Sequence, residues 1–326
     1  MSVAVHGGIW PLEEIRAAVV SVDFDRLVLD GIAAATSMPS VIVDVGDDPA
    51  DDVGSALAAL PVVSIAVGAG GETWDLALDD PGPALEGLRA NPQAAVMAAQ
   101  TLRRGAALDL PDALLVESLA YATLQAGEEH ARWLAQRGRR IRRDADQPRI
   151  EVTDHGTAVT VTLNRPRLLN LFDAAMRDQL VDVLKALQAG GDGRPVVITG
   201  AGGNFCAGGD PAEFGTVSDP ATAHLIRSRA SAAPWLAAVA HRSTALIDGA
   251  CVGAGIELAA FCSTVTATDR ARFRLPELSM GLIPGAGGTV SIPARIGRQR
   301  TLWWLLTGTE LNAATALAWG LADSLA

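Results

Sequence analysis

The sequence predicts an α/β protein with a largely parallel sheet, and three observations point there. Short apolar runs bounded by glycine, proline or aspartate alternate with amphipathic helical stretches, a pattern that implies βαβ connections. Several of these runs open into glycine-rich loops, as strands do when they deliver a backbone close to a ligand. Apolar residues make up 49% of the 326 and charged residues only 19%, a composition that packs rather than stays disordered. That length holds one large domain or two modest ones.

Residues 1–85 read as a small α/β unit. Val41, Ile42 and Val43 in one run, and Val62, Val63 and Ile65 in another, suit buried strands; the second run ends in a loop containing Gly68, Gly70 and Gly71. Residues 86–147 are helical and end in a basic connector. The stretch 93–104 is alanine-rich and stops at Gly105. Asp109 can cap a second helix that has Pro111 in its first turn and carries Leu114, Leu115, Leu119 and Leu124. Residues 128–137 make a third helix. The connector, RGRRIRRDADQPR, reads as a solvated linker whose arginines could also reach phosphates. Residues 148–326 form the main body. Residues 159–163 alternate and branch at Cβ, as strands do. Residues 172–187 form an amphipathic helix, and residues 195–199 form a buried strand that opens into a loop of glycines at 200, 202, 203, 208 and 209.

Charge and cysteine usage narrow the function. Lysine plus arginine number 26 against 37 acids, a net charge of −11, which disfavours general nucleic-acid binding but leaves room for a local anion site. Cys206, Cys251 and Cys262 have neither metal-ligand spacing nor an even disulfide set, so they read as buried free thiols in a reducing compartment. The first residues lack a basic segment followed by an apolar core, and charges interrupt every long apolar run. A cytoplasmic protein without a membrane span is the expectation. His155, His224 and His241 have no nucleophile or metal partner at a useful spacing, and Trp303 and Trp304 sit in a helix as core or interface residues.

The stretch 249–289 concentrates the chemistry. Glu257 follows Gly253, Ala254 and Gly255 and sits inside an apolar helical run. Glu277 follows Pro276 and precedes a second loop with Gly285, Gly287 and Gly288. Small residues let a ligand approach the backbone, and helix N-termini offer unpaired N–H donors beside which a carboxylate can do acid–base work on a polarised carbonyl. A dinucleotide site fails on detail, because Gly200 and Gly202 are followed by Phe205 where a third glycine belongs, and no Walker lysine follows.

These motifs resemble those of the crotonase superfamily, whose type member is enoyl-CoA hydratase. Gly253-Ala254-Gly255-Ile256-Glu257-Leu258-Ala259 matches its small-residue triplet and Glu-Leu-Ala. Pro276-Glu277, Gly281 and the run ending at Thr289 match its downstream segment. Asn164-Arg165-Pro166 with Asn170, and Phe205 with Gly208 and Asp210, match two more. The resemblance implies a ββα spiral core at 148–326 and acyl-CoA as the small-molecule substrate, with coenzyme A entering only as part of the thioester and no tightly bound cofactor or metal. It implies Glu257 and Glu277 as the catalytic pair: Glu277 protonates the α carbon and Glu257 activates the water that attacks the β carbon. Ala207 and Ala254 would supply the N–H donors of an oxyanion hole. Arg167, Leu169, Ala207, Gly208, Gly209, Asp210, Gly253 and Pro276 would contact substrate or coenzyme, with Arg165 nearby, although Asp210 reads first as a loop-shaping residue.

The segment order departs from the family pattern. Residues 86–136 look like the helices that in crotonases follow the core, cover the active site and build the trimer; here they precede it. Permutation, or fusion of two truncated copies, accounts for this, with the early helices packing where the later ones belong. Residues 1–85 read as a degenerate crotonase half, Asp75-Leu76-Ala77 standing where Glu257-Leu258-Ala259 stands later, or as an unrelated strand–loop–helix unit. The expected activity is enoyl-CoA hydratase in a homo-oligomer, a trimer or dimer of trimers. A Δ3-Δ2-enoyl-CoA isomerase or another crotonase reaction is the alternative, and a non-catalytic acyl-CoA-binding or assembly protein is the reading from a different class.

Overall fold

The structure, a computed structural model, describes residues 9–20, 40–138, 147–191 and 193–326. Its first sheet is parallel and runs in the order β1 (Ile9–Pro11), β2 (Ser40–Gly46), β3 (Val63–Gly68) and β4 (Leu76–Leu78). Both faces are apolar, as a parallel sheet covered on both sides requires. Ile42 and Ile65 face the main core. Val43 and Ala66 face a second cluster with Ile15 of α1 (Leu12–Val20), Val53 and Leu57 of α2 (Asp51–Leu57), and the fully buried Trp74. The echo at Asp75 does not extend to conformation. Leu76 and Ala77 pair with Ile65 and Ala66 as a strand, whereas Glu257 lies in a helix. Buried Asp75 accepts from Ser64 and meets Arg103 Nε at 3.1 Å.

Four helices follow: α3 (Gly82–Ala90), α4 (Pro92–Gly105), α5 (Leu110–Gln125) and α6 (Glu128–Arg137). Asp109 caps α5 as expected, accepting from Asp112 N at 3.0 Å. The start of α4 is capped from a distance: the Glu129 carboxylate of α6 accepts from Gln93 N and Ala94 N at 2.8 and 3.0 Å. In the connector, residues 139–146 lie outside the described residues. Its described ends are tied to the body, with Arg137 donating to the Pro211 carbonyl and Arg149 paired with Asp173 at 3.2 Å.

The main body carries β5 (Ile150–Asp154), β6 (Val159–Leu163), α7 (Ala174–Gly190), β7 (Val196–Gly200), α8 (Pro220–Arg229), α9 (Ala233–Val239), β8 (Ser243–Ile247), β9 (Ala250–Val252), α10 (Ala254–Ala259), β10 (Thr264–Ala267), β11 (Arg272–Arg274), α11 (Gly288–Ile296), α12 (Arg298–Thr307), β12 (Leu311–Asn312), α13 (Ala313–Trp319) and β13 (Ser324–Leu325). Its six-stranded sheet is ordered β13-β10-β8-β7-β6-β5 and is parallel except for the β5–β6 hairpin. A smaller sheet, β12-β11-β9, stands beside it. Helix α7 begins two residues later than the sequence pattern suggests. Asp173 turns to accept from Met176 N at 2.8 Å, and Phe172 is left to pair with Gly209.

One continuous apolar core joins this body to α3, α4, α5 and the inner face of the first sheet. Helix α3 crosses α12 so closely that a Cβ on Gly87 would overlap the Leu306 carbonyl. Trp304 is fully buried and donates to the Thr309 carbonyl at 2.7 Å; Trp303 stacks edge-on against Trp319. Among the described residues no helix is long and apolar enough to cross a membrane.

Candidate active site

Two glycines make room for the two glutamates. Gly253, at φ 49°, turns the chain from β9 into α10 in a conformation that side chains resist, and a Cβ there would fall on Glu277 Oε1. Gly288 opens α11, and a Cβ there would lie 2.5 Å from Glu257 Cγ. Glu257 is buried in α10; its Oε2 accepts from Ala286 N at 2.6 Å and Gly288 N at 3.0 Å. Glu277 begins a 3-10 turn, Glu277–Met280, and its buried Oε2 has no hydrogen-bond partner among the described residues.

Burial raises the proton affinity of both. Glu257 is pushed well above the usual carboxylate range by desolvation and then by repulsion from Glu277 and Glu117, against the pull of its two N–H donors. Glu277 is pushed up to about 7, chiefly by desolvation. Two carboxyl groups in such surroundings titrate as a pair that holds a proton near neutrality.

Both glutamates line a cavity of about 320 Å³, together with Ala207, Gly208, Gly209, Asp210, Gly253, Ala254 and Pro276. Arg167 and Leu169 are not among its lining residues; both are exposed on the adjoining loop. That loop is held in an unusual shape, with Leu169 and Asn170 at φ 52° and 55°. Asn170 fixes it: its amide donates to the Ala201 and Asn204 carbonyls and its oxygen accepts from Arg165 N.

Three further polar groups of this region have definite partners. Arg165, expected near the coenzyme, has its guanidinium buried between Asp173 (3.2 Å) and Asp210 (3.0 Å), and it donates to the Leu171 carbonyl. Asp210 lines the cavity and shapes its loop as expected, its other oxygen accepting from Ala212 N at 2.9 Å. The Ala207 N–H is not free, since it donates to the Leu169 carbonyl at 2.9 Å. The Ala254 N–H opens α10, where no intrahelical acceptor exists.

Sequence reasoning missed Glu117, Tyr121 and Arg227. Glu117 of α5 is buried and takes three donors from the start of α11: Gly287 N at 2.8 Å, Thr289 N at 2.9 Å and the Thr289 hydroxyl at 2.7 Å. Tyr121, one turn on, packs against Gly285, and Arg227 of α8 lies over its ring at 4.1 Å. Helix α5 therefore closes the cavity and positions the loop that holds Glu257. Its Leu115 and Leu119 point out instead, 45% and 49% exposed. The available signal was the i, i+4 spacing of Glu117 and Tyr121 in a segment expected to cover the site. His224 is also engaged, its Nδ1 2.9 Å from the Ser118 hydroxyl.

The sequence model of the enoyl-CoA hydratase/isomerase family matches residues 153–326, just over half of the chain. A probable enoyl-CoA hydratase of Mycobacterium leprae is 35% identical over 163 residues, 49% of this chain and 62% of that protein. The chain thus spans less than two thirds of such relatives' length. A crystal structure of an enoyl-CoA hydratase subunit from Geobacillus kaustophilus superposes with a TM-score of 0.51 at 32% identity, covering 54% of this chain and 68% of that one. An enoyl-CoA hydratase/isomerase from Mycobacterium paratuberculosis superposes with a TM-score of 0.51 at 30% identity, covering 55% and 73%.

Proposed function

The chain belongs to the enoyl-CoA hydratase/isomerase family, within the crotonase superfamily, and from that premise we propose that it hydrates 2-trans-enoyl-CoA to 3-hydroxyacyl-CoA. The observation that carries this reading is the pair of buried glutamates in one cavity, one oriented and one open. Two N–H donors orient Glu257 and offset part of the burial that raises its proton affinity, which suits a carboxyl that exchanges a proton with an attacking water. Among the described residues Glu277 Oε2 accepts nothing, which suits an acid that gives its proton to the α carbon. An isomerase needs one mobile proton and no oriented second carboxylate, so Glu257 favours the hydratase.

As water adds, negative charge develops on the thioester oxygen. The Ala254 N–H is placed to meet it, and Ala207 joins when the oxygen displaces the Leu169 carbonyl; one such donor is typically worth about 2.7–4 kcal/mol. Coenzyme A arrives as part of the thioester, and an oligomer, a trimer by the same resemblance, completes the proposal. The test is crotonyl-CoA in ¹⁸O-water. A hydratase places the heavy oxygen on C3 of 3-hydroxybutyryl-CoA. Conversion of a 3-enoyl to a 2-enoyl thioester without oxygen uptake would replace this reading with the isomerase.

A further inference from the structure

Arg227 is a cation that the chemistry above does not use. It lines the cavity from α8, stacked on Tyr121, and its guanidinium donates to neutral acceptors: the Ser118 carbonyl and hydroxyl at 3.3 Å each, and Gln125 Oε1 at 2.9 Å. Among the described residues it has no ion pair. Glu117 and Glu257 lie within its electrostatic reach, yet Glu117 is taken by Gly287 and Thr289, and Glu257 Oε2 by Ala286 and Gly288. Arg177, also on the cavity wall, meets Asp178 at 2.7 Å.

A guanidinium withdrawn from water without a directly bonded anion is costly, and it stays protonated at any ordinary pH. A purely alkyl chain end would strip more water from it and return nothing. A carboxylate offers what is missing, two oxygens in the planar geometry that guanidinium matches. Such an anion would also enter a cavity that already holds Glu257 and Glu277, and only a cation offsets that repulsion.

We propose that Arg227, backed by Tyr121 and Gln125, receives a carboxylate at the far end of the acyl chain. The substrate class is then enoyl thioesters with a distal carboxylate rather than plain fatty enoyl chains. Which end of the acyl group lies there rests on the hydratase reading, but the preference for a carboxylate does not.

The experiment is calorimetric binding of saturated thioesters, which cannot be hydrated. Succinyl-, adipyl- and suberyl-CoA are each compared with the methyl-ended thioester of equal length: butyryl-, hexanoyl- and octanoyl-CoA. Wild type should bind at least one carboxylated member about 10- to 100-fold more tightly than its partner, the range of a charge-assisted hydrogen bond. Arg227→Gln should bring that ratio close to one, and Arg227→Lys should keep part of it. A wild type with no preference at any length overturns the proposal without needing a variant. So does a preference that survives in Arg227→Gln, because another group would then be receiving the carboxylate. Failure to hydrate any enoyl thioester, with the binding ratio intact, would count against the hydratase alone.

Discussion

Glu117→Ala separates a helix that merely covers the site from one that builds it. The substitution removes the acceptor of Gly287 N–H and Thr289 N–H, both in the buried first turn of α11. A buried donor left unmade costs about 1–3 kcal/mol, so two cost about 2–6. Losing a buried carboxyl also relieves the repulsion that raises Glu257, and a relief of one pKa unit offsets about 1.4 kcal/mol. The expected net destabilisation is about 1–5 kcal/mol, read as a shift of the guanidinium midpoint at unchanged slope. The same loop carries the amides that hold Glu257, so kcat/KM for crotonyl-CoA should fall by about 10- to 100-fold, a misplacement effect. Glu117→Gln, which keeps an acceptor oxygen, should recover part of both losses. A midpoint shift worth under about 1 kcal/mol with unchanged kcat/KM would refute the reasoning.

Three further outcomes follow from the same geometry. The carboxyl pair should lose activity as pH falls through about 7, because taking up a second proton removes the base; a pH–rate profile that stays flat down to the ordinary carboxylate range would contradict this. Arg165→Met leaves Asp210 buried without its cation and Asp173 with Arg149 alone, and should cost about 3–5 kcal/mol in denaturant unfolding; a loss below about 1 would show that the network is dispensable. Gly253→Ala sets a methyl on Glu277 in a left-handed turn, so hydration should fall at least about 100-fold and thermal stability should drop; near-normal turnover would show that Glu277 is not held there.

What was legible in the sequence was contiguous. Glu257, Glu277 and their glycines lie in one stretch, where each small residue answers a local constraint: Gly253 at Glu277 and Gly288 at Glu257. Helix α5 was also readable, because Asp109 and Pro111 mark its start. What failed depended on distant docking. Apolar periodicity in α5 pointed to Leu115 and Leu119, but the inward face is polar where it meets the start of α11 and Arg227, and it presents Glu117, Ser118 and Tyr121. The burial of Arg165 was not readable, because nothing local reveals that Asp173 and Asp210 converge on it across the fold. The echo of Glu257-Leu258-Ala259 at Asp75-Leu76-Ala77 was one of local composition, whereas pairing with β3 set Leu76 and Ala77 as a strand.

The most direct measurement is the loss of the conjugated thioester's ultraviolet absorbance when crotonyl-CoA meets wild type and Glu277→Gln side by side. Rapid decay with wild type, slowed by roughly 10²- to 10⁴-fold in the variant, is the predicted result for a general acid–base residue. Equal decay in both proteins, or none with wild type while crotonyl-CoA still binds, would contradict the assignment of hydratase chemistry to this pair of buried glutamates.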